Sequence, residues 1–358
     1  MTISLCMIVK NEEDVLARAL DSIKDAVDEI IIVDTGSTDK TKEIASKYTN
    51  KIYDFEWIND FSAARNFAFS KATMDYQMWL DADDVFPPES LRKLIKLKKI
   101  IMSDVEIVTM PYVVDFDSEG RPTVISTRER ILKRENQYKW IEPVHECIPL
   151  QGNIFNSDIE VWHKKERAND CPGRNLKIYE SLEAKGKPMT ARQQYYFARE
   201  LKDHQQWAKA TYYFEMFLAG KQGWFEDNIA TCFNLSVCYK LLNREEKILP
   251  VLIKSFEYDA PRAEILSEIG YFHKNKNDFK TALKWFVLAA NQDKPDSLGF
   301  LLKDYWGYIP SIEACVCYSE LGDYKNAMIY NERAAKIYPE KLAVSINKKF
   351  LLEKLKGK

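Results

Sequence analysis

The chain has 358 residues, with 52 Lys and Arg against 54 Asp and Glu for a net charge of −2, and 46% of its residues are hydrophobic. At about 150 residues per domain this length calls for two or three domains, and the apolar fraction excludes a disordered chain. The near-neutral balance excludes a general basic surface for nucleic acid, though not a local basic pocket for phosphates, and no apolar run approaches the ~18 residues of a membrane span.

In chain order, Ile3 to Val9 is a near-continuous apolar strand with no basic segment before it, so it reads as a buried strand and not as a signal peptide. Asn11 is placed to cap a helix whose Val15, Leu16, Ala19, Leu20 and Ile23 share one face. Glu29 to Val33 is the second strand and stops at Asp34-Thr35-Gly36-Ser37, where Ser37 or Thr38 can cap a helix carrying Ile44, Ala45 and Tyr48. Ile52 and Tyr53 make a short third strand, Phe61 to Ala72 a helix, Tyr76 to Leu80 a strand ending at Asp81, and Glu106 to Tyr112 another strand. Strand-like pieces continue to Ile159-Glu160-Val161-Trp162. The alternation predicts a parallel-dominated sheet with helices on both faces, whose ligands sit outside the carboxyl ends of the strands. Asp34 and Asp81 both fall there.

After Cys171-Pro172-Gly173 the period changes to helical throughout. Gly322-Asp323-Tyr324-Lys325-Asn326-Ala327, then Tyr330, Ala334 and Pro339, fits a 34-residue tetratricopeptide pattern with Cys315 at position 8. Gly270, Ser236 and Ala198 take position 8 in three earlier, looser copies. The expected division is an α/β domain over 1–168, a linker and first helix over 169–189, and helical repeats over 190–358. The seven cysteines show no zinc spacing and read as reduced thiols of a cytoplasmic protein.

The strongest chemical signal is Trp79-Leu80-Asp81-Ala82-Asp83-Asp84. Three carboxylates in four positions at the end of a buried strand need a positive partner, and a divalent cation bridging a diphosphate suits hard oxygen ligands. An acidic turn that merely caps the next helix is the alternative.

Taken together, Lys10-Asn11-Glu12 after the first strand, Asp34-Thr35-Gly36-Ser37-Thr38-Asp39, Ala64-Arg65-Asn66 and Asp81-Ala82-Asp83-Asp84 resemble the nucleotide-sugar domain of family 2 glycosyltransferases, over about residues 1–165. The resemblance implies a Rossmann-like GT-A fold in front of the all-α repeats. Asp60 to Asn66, Val144-His145-Glu146 and Val161-Trp162-His163 are similar to the repeat-bearing subgroup that glycosylates bacteriocin peptides on sulfur, the sublancin enzyme among them. This sequence opens directly on the first strand, where that enzyme has an N-terminal extension.

On this resemblance Asp34 and Thr35 bond the uracil and ribose edges, and Arg65 reaches the diphosphate. Asp81 holds the ribose or a metal-bound water, Asp83 coordinates Mn²⁺ or Mg²⁺, and Asp84 orients the donor sugar. Lys10 and Glu12 border the same crevice, where nucleotide contact and plain solvation are both open. Glu146 with His145 beside it is the candidate general base, Glu142 a weaker one, and His163 a metal ligand or diphosphate contact. One or two of Arg128, Arg130 and Lys133 balance the donor phosphates or form a solvated strand face. The expected activity is inverting, metal-dependent transfer of a hexose from a UDP-sugar to a peptide or protein, at a Cys thiol or Ser hydroxyl, the repeats presenting the acceptor or pairing two copies. A sugar-on-sugar transferase for surface glycan is the rival within the class. A non-catalytic repeat scaffold is the rival outside it.

Overall fold

The computed structural model describes residues 1–101, 104–164, 173–295, 299 and 301–356, so Cys171 and Pro172 at the expected domain boundary lie outside the described residues. The chain divides into two compact units, Met1–Lys187 and Pro188–Lys358. Helix α5, Arg174–Ala184, expected within a linker, therefore counts with the first unit.

The first unit is a sheet with helices against both faces. Its strands are β1 Ile3–Val9, β2 Glu29–Asp34, β3 Ile52–Asp54, β4 Tyr76–Trp79, β5 Asp84–Val85, β6 Ile107–Phe116, β7 Pro122–Lys133, β8 Ile154–Asn156 and β9 Val161–His163. The order across the sheet is β3-β2-β1-β4-β7-β6-β9-β5, with β8 also on β6. The half from β3 to β4 is parallel, as the alternation of strands and helices predicts. Beyond it β7 turns antiparallel to β4 and forms a long hairpin with β6, so the sheet is mixed.

Alternation along β1 explains the two cores. Ile3, Leu5, Met7 and Val9 pack under α1 (Leu16–Ile23) and α4 (Pro88–Ile100). Cys6 points the other way, with Ile31, Val33 and Trp79, onto Ala68 and Phe69 of α3 (Phe61–Ser70). A strand buried on both faces has no polar side to show water, which is why it reads as a continuous apolar run.

Two expected caps are not formed. Asn11 does not cap α1, which starts at Leu16 with no side-chain cap. Asn11 instead takes a left-handed φ of 56° and its Oδ1 accepts from Thr38 N at 2.8 Å. Ser37 accepts from Asn11 N at 2.9 Å and so also caps nothing; Asp39 Oδ1 receives Thr41 N at the start of α2, Thr41–Ala45. The polar residues of both loops bond each other across the crevice mouth, and that pairing outcompetes capping.

The second unit is helical. It pairs α6 (Ala191–Asp203) with α7 (Trp207–Gly220), α8 (Phe225–Leu241) with α9 (Glu245–Lys254), α10 (Ala263–Lys274) with α11 (Phe279–Ala290), and α12 (Tyr308–Glu320) with α13 (Tyr324–Ile337), then ends on α14 (Leu342–Lys356). Ala198, Ser236, Gly270 and Cys315 sit on the first helix of each pair. A Cβ at Gly270 would lie 2.8 Å from the Phe286 ring, which is why that position is small.

On α10, Glu264 Oε2 is buried without a hydrogen-bond partner among the described residues. Burial raises its carboxyl to about 7, with Arg262 opposing and Glu226 adding to the rise. The folded state then holds this proton more tightly than the unfolded chain, so its contribution to stability is present below about 4.5 and lost as pH rises to about 7. Glu264→Gln is expected to stabilise the second unit by about 2 kcal/mol at pH 8 and to change little at pH 4.5. Melting curves at the two pH values check it; equal shifts at both would be wrong for this cause.

Candidate active site

The acidic turn lies between β4 and β5, closed by Asp84 N donating to Asp81 O at 3.1 Å. Antiparallel pairing of β5 with β9 sets His163 opposite Asp84. This register brings together residues 79 apart in sequence, and it gives the three carboxylates three different environments.

Asp84 is fully buried. Its Oδ2 faces Arg130 Nη1 at 3.0 Å, and its Oδ1 accepts from Tyr112 OH at 2.8 Å and lies 3.3 Å from His163 Nδ1. Arg130 is as buried as Asp84 and stacks 3.7 Å from the Trp79 ring centroid. Asp84 therefore anchors the turn from beneath and does not line the crevice, so the expected contact with the donor sugar is not supported. Arg130 is held in the same pair through Nη1, its Nε and Nη2 buried without a partner among the described residues, and Lys133 pairs outside with Glu135 at 2.6 Å. Of the three basic residues on that strand only Arg128 lines the crevice.

Asp83 is 27% exposed and 3.4 Å from His163 Nδ1. Burial pushes its carboxyl up to about 6, Asp81 and Asp84 add to this, and His163 opposes it. For His163 burial works downward, but Asp84 and Asp83 outweigh it and raise the imidazole above its ordinary value. Such mutual dependence describes a site short of positive charge. Ligand atoms of Asp83, Asp84 and His163 all lie within 4.8 Å of one another. Two carboxylates and an imidazole in that space fit a divalent cation, and the imidazole favours Mn²⁺ over Mg²⁺.

Asp81 belongs with α3. Arg65 on that helix donates through Nη2 to Asp81 Oδ1 at 2.7 Å and through Nε to Glu146 Oε1 at 2.6 Å. Its guanidinium lies 5.0 and 4.9 Å from the Trp79 and Trp140 ring centroids. Burial would raise the Asp81 carboxyl, but Arg65 and then Arg130 hold it below the usual range. Two of the donors of Arg65 are thus committed. Nη1, buried with no hydrogen-bond partner among the described residues, is the nitrogen left for the diphosphate contact expected of this residue.

Glu146 sits in a tight loop closed by the pair of bonds between Ile141 and Cys147, 2.9 and 3.1 Å. Glu142 and His145 within it have φ of 73° and 52°, a left-handed conformation that costs a non-glycine residue about 1–3 kcal/mol. The loop is held by Phe61 N donating to Pro143 O at 2.9 Å and Tyr179 OH donating to Val144 O at 3.2 Å. Glu146 and His145 both line the crevice, and the His145 ring lies nearly parallel to that of Tyr179. Glu142, the weaker candidate, does not line it.

At the nucleotide end, Asp34 is buried and its Oδ1 accepts from Gly36 N and Ser37 N, both at 2.9 Å. That is the local turn; Oδ2, equally buried, has no hydrogen-bond partner among the described residues, which leaves an acceptor for a ligand N–H or hydroxyl. Thr35 lines the crevice but donates its hydroxyl to Val9 O at 3.1 Å, so toward a ligand it can only accept. Lys10 and Glu12 line the crevice too. Burial raises the Glu12 carboxyl to about 7, with Asp83 and Asp81 contributing.

The crevice has a volume of about 610 Å³, within the range of small-molecule sites. Of the expected site residues it gathers Lys10, Glu12, Thr35, Arg65, Asp81, Asp83, Arg128, His145, Glu146 and His163, while Asp34, Asp84, Arg130, Lys133 and Glu142 do not line it. It also includes residues the sequence did not single out. Trp57 and Phe61 form an edge-to-face pair at 4.7 Å, and Arg174 of α5 lies 4.7 Å from the Phe61 centroid. Arg174 follows Cys171-Pro172-Gly173, which read only as a boundary; nothing in its spacing tied it to the strands.

Residues 4–158 match the family model of glycosyl transferase family 2, and 316–341 match that of the tetratricopeptide repeat. The TPR repeat-containing protein Synpcc7942_0270 of Synechococcus elongatus is 35% identical over 45% of this chain and 40% of its own length. The SPbeta prophage-derived glycosyltransferase SunS of Bacillus subtilis is 27% identical over 56% of this chain and 49% of its own. An uncharacterized glycosyltransferase of Rickettsia conorii is 29% identical over 43% and 49%. The chain thus spans less than half the length of these curated relatives. Its first unit is a family 2 glycosyl transferase domain, and the helical unit after it carries a tetratricopeptide repeat.

Proposed function

We propose that this protein is an inverting, metal-dependent glycosyltransferase that moves a hexose from a UDP-sugar to a peptide or protein. The observation that carries the reading is one crevice holding both halves of the chemistry. Asp83 and His163 line it with ligand atoms near enough for one cation, and Glu146, held by Arg65, lines it as the base proposed for the acceptor.

Asp83 and His163 would hold the ion, with Asp84 beneath; when bound it offsets charge developing on the departing diphosphate, commonly the largest contribution to such a transfer. Nη1 of Arg65 and the side chain of Arg128 supply further positive charge from the protein itself. Asp34 Oδ2 takes a donor from the nucleoside. Glu146 keeps Oε1 on Arg65, so Oε2 is the oxygen that receives the proton of the acceptor while the acceptor attacks the anomeric carbon from the face opposite the diphosphate. A thiol acceptor, with an ordinary pKa near 8.5, is partly ionised at neutral pH and needs this base less than a hydroxyl does. The repeat unit presents the acceptor or pairs two copies.

The test is product stereochemistry. From an α-linked UDP-hexose and peptides bearing Cys, Ser or Asn, the expected product is a β-linked glycopeptide, read by the anomeric proton coupling. An α-linked product would contradict inversion. Transfer to sugars but to none of the peptides would favour the glycan rival.

A further inference from the structure

Asn66 follows Arg65 on α3, and the mechanism so far gives it nothing to do. Its side-chain amide bonds both backbone groups of one distant residue: Nδ2 donates to Trp140 O and Oδ1 accepts from Trp140 N, each at 2.9 Å. This is the two-bond exchange of an antiparallel strand pair, made by a side chain. Trp140 is the residue immediately before the 141–147 loop. Its ring lies under the Arg65 guanidinium, and its indole N–H is buried without a hydrogen-bond partner among the described residues.

The orphaned N–H matters, because a buried donor left unpaired works against stability. A ring placed for stability alone would turn that group toward an acceptor. The packing of Trp140 against Phe69 and Trp79, at 5.9 and 5.2 Å, already holds the ring. What the amide of Asn66 adds is the direction of the backbone entering a loop that contains two left-handed residues and ends on Glu146.

We infer that Asn66 is a positioning residue for the transfer reaction. Through Trp140 it fixes both the ring on which Arg65 rests and the loop that brings Glu146 to Arg65 Nε. The inference rests on the roles proposed above for Arg65 and Glu146. It requires no contact between Asn66 and substrate, and Asn66 does not line the crevice.

The experiment compares wild type, Asn66→Ala and Asn66→Asp in Mn²⁺-UDP affinity, in KM and kcat for UDP-hexose turnover, and in amide exchange over residues 141–147. Asn66→Asp keeps an acceptor for Trp140 N–H but cannot donate to Trp140 O. A displacement of about 1 Å at a reacting group costs about a hundredfold in rate. Expected are a kcat lowered about a hundredfold in Asn66→Ala and about tenfold in Asn66→Asp, UDP affinity and KM within twofold of wild type, and faster exchange at Ile141 and Cys147 in both. Unchanged kcat in either folded variant, or UDP affinity falling in step with kcat, would overturn the inference and leave the transferase reading standing. Should Asn66→Ala fail to fold, Asn66→Asp alone decides. Absence of UDP-hexose turnover by wild type would overturn the transferase reading and this inference with it.

Discussion

Arg65→Met is expected to lower UDP-hexose turnover by about 10³-fold and to destabilise the first unit by about 3 kcal/mol. The activity loss follows from what the guanidinium holds: Asp81 through Nη2 and Glu146 through Nε, with Nη1 buried and unpaired among the described residues. Losing a preorganised donor at a developing charge alone costs about 10²–10³ in rate, and Glu146 loses its placement as well. The stability loss follows because removing one member of a buried ion pair strands its partners, at about 3–5 kcal/mol; the lower end applies since Asp81 is 32% exposed. Arg65→Lys would recover part of the stability and little of the rate. An ammonium cannot reach both carboxylates with the fixed geometry of the fork. Turnover within tenfold of wild type in Arg65→Met would remove Arg65 from the mechanism.

Asp83→Ala is expected to separate activity from stability in the opposite way. Metal-dependent UDP release should fall by about 10³-fold, a loss of the order seen when charge stabilisation of a leaving group is removed, while the melting temperature without metal stays level or rises. Among the described residues the cation that faces Asp83 is His163, and burial together with its acidic neighbours raises the Asp83 carboxyl to about 6, so in the metal-free protein its charge is unfavourable. Asp84→Asn provides the contrast. It leaves fully buried Arg130 without its counter-charge, so it should lower stability with or without metal. A drop in melting temperature for Asp83→Ala equal to that of Asp84→Asn would mean the turn is one structural unit, with no separate metal position.

The same contrast shows how far the sequence could be read. Asp81, Asp83 and Asp84 are alike in sequence, and a strand end followed by three acids announces a charged crevice. Their division into an arginine-held carboxylate, a half-buried one beside His163 and a buried anchor depends on β9 pairing with β5 and on α3 lying beside β4. Neither contact has a local signature. The parallel half of the sheet was legible because β1, β2 and β4 are buried on both faces and α1 has an apolar stripe. The β6–β7 hairpin was legible only in fragments, since its strands carry polar residues such as Arg128, Glu129 and Arg130 in the middle of the apolar pattern. Arg65 was legible as a cation in a motif. Its embrace by Trp79 and Trp140 was not, because Trp140 lies 75 positions away in a segment without period. The caps expected at Asn11, Ser37 and Thr38 failed for a related reason: each side chain had a partner across the crevice mouth that no single segment reveals.

On the function proposed above, this crevice binds a nucleoside-diphosphate sugar through a divalent cation. UDP release from a panel of UDP-sugars by the full chain, with Mn²⁺, with Mg²⁺ and with chelator, tests this. Release is expected from at least one donor under Mn²⁺, weaker release under Mg²⁺, none with chelator, and loss of the metal-dependent signal in Asp83→Ala. Release that persists undiminished with chelator, or no release from any UDP-sugar under either metal, would contradict it.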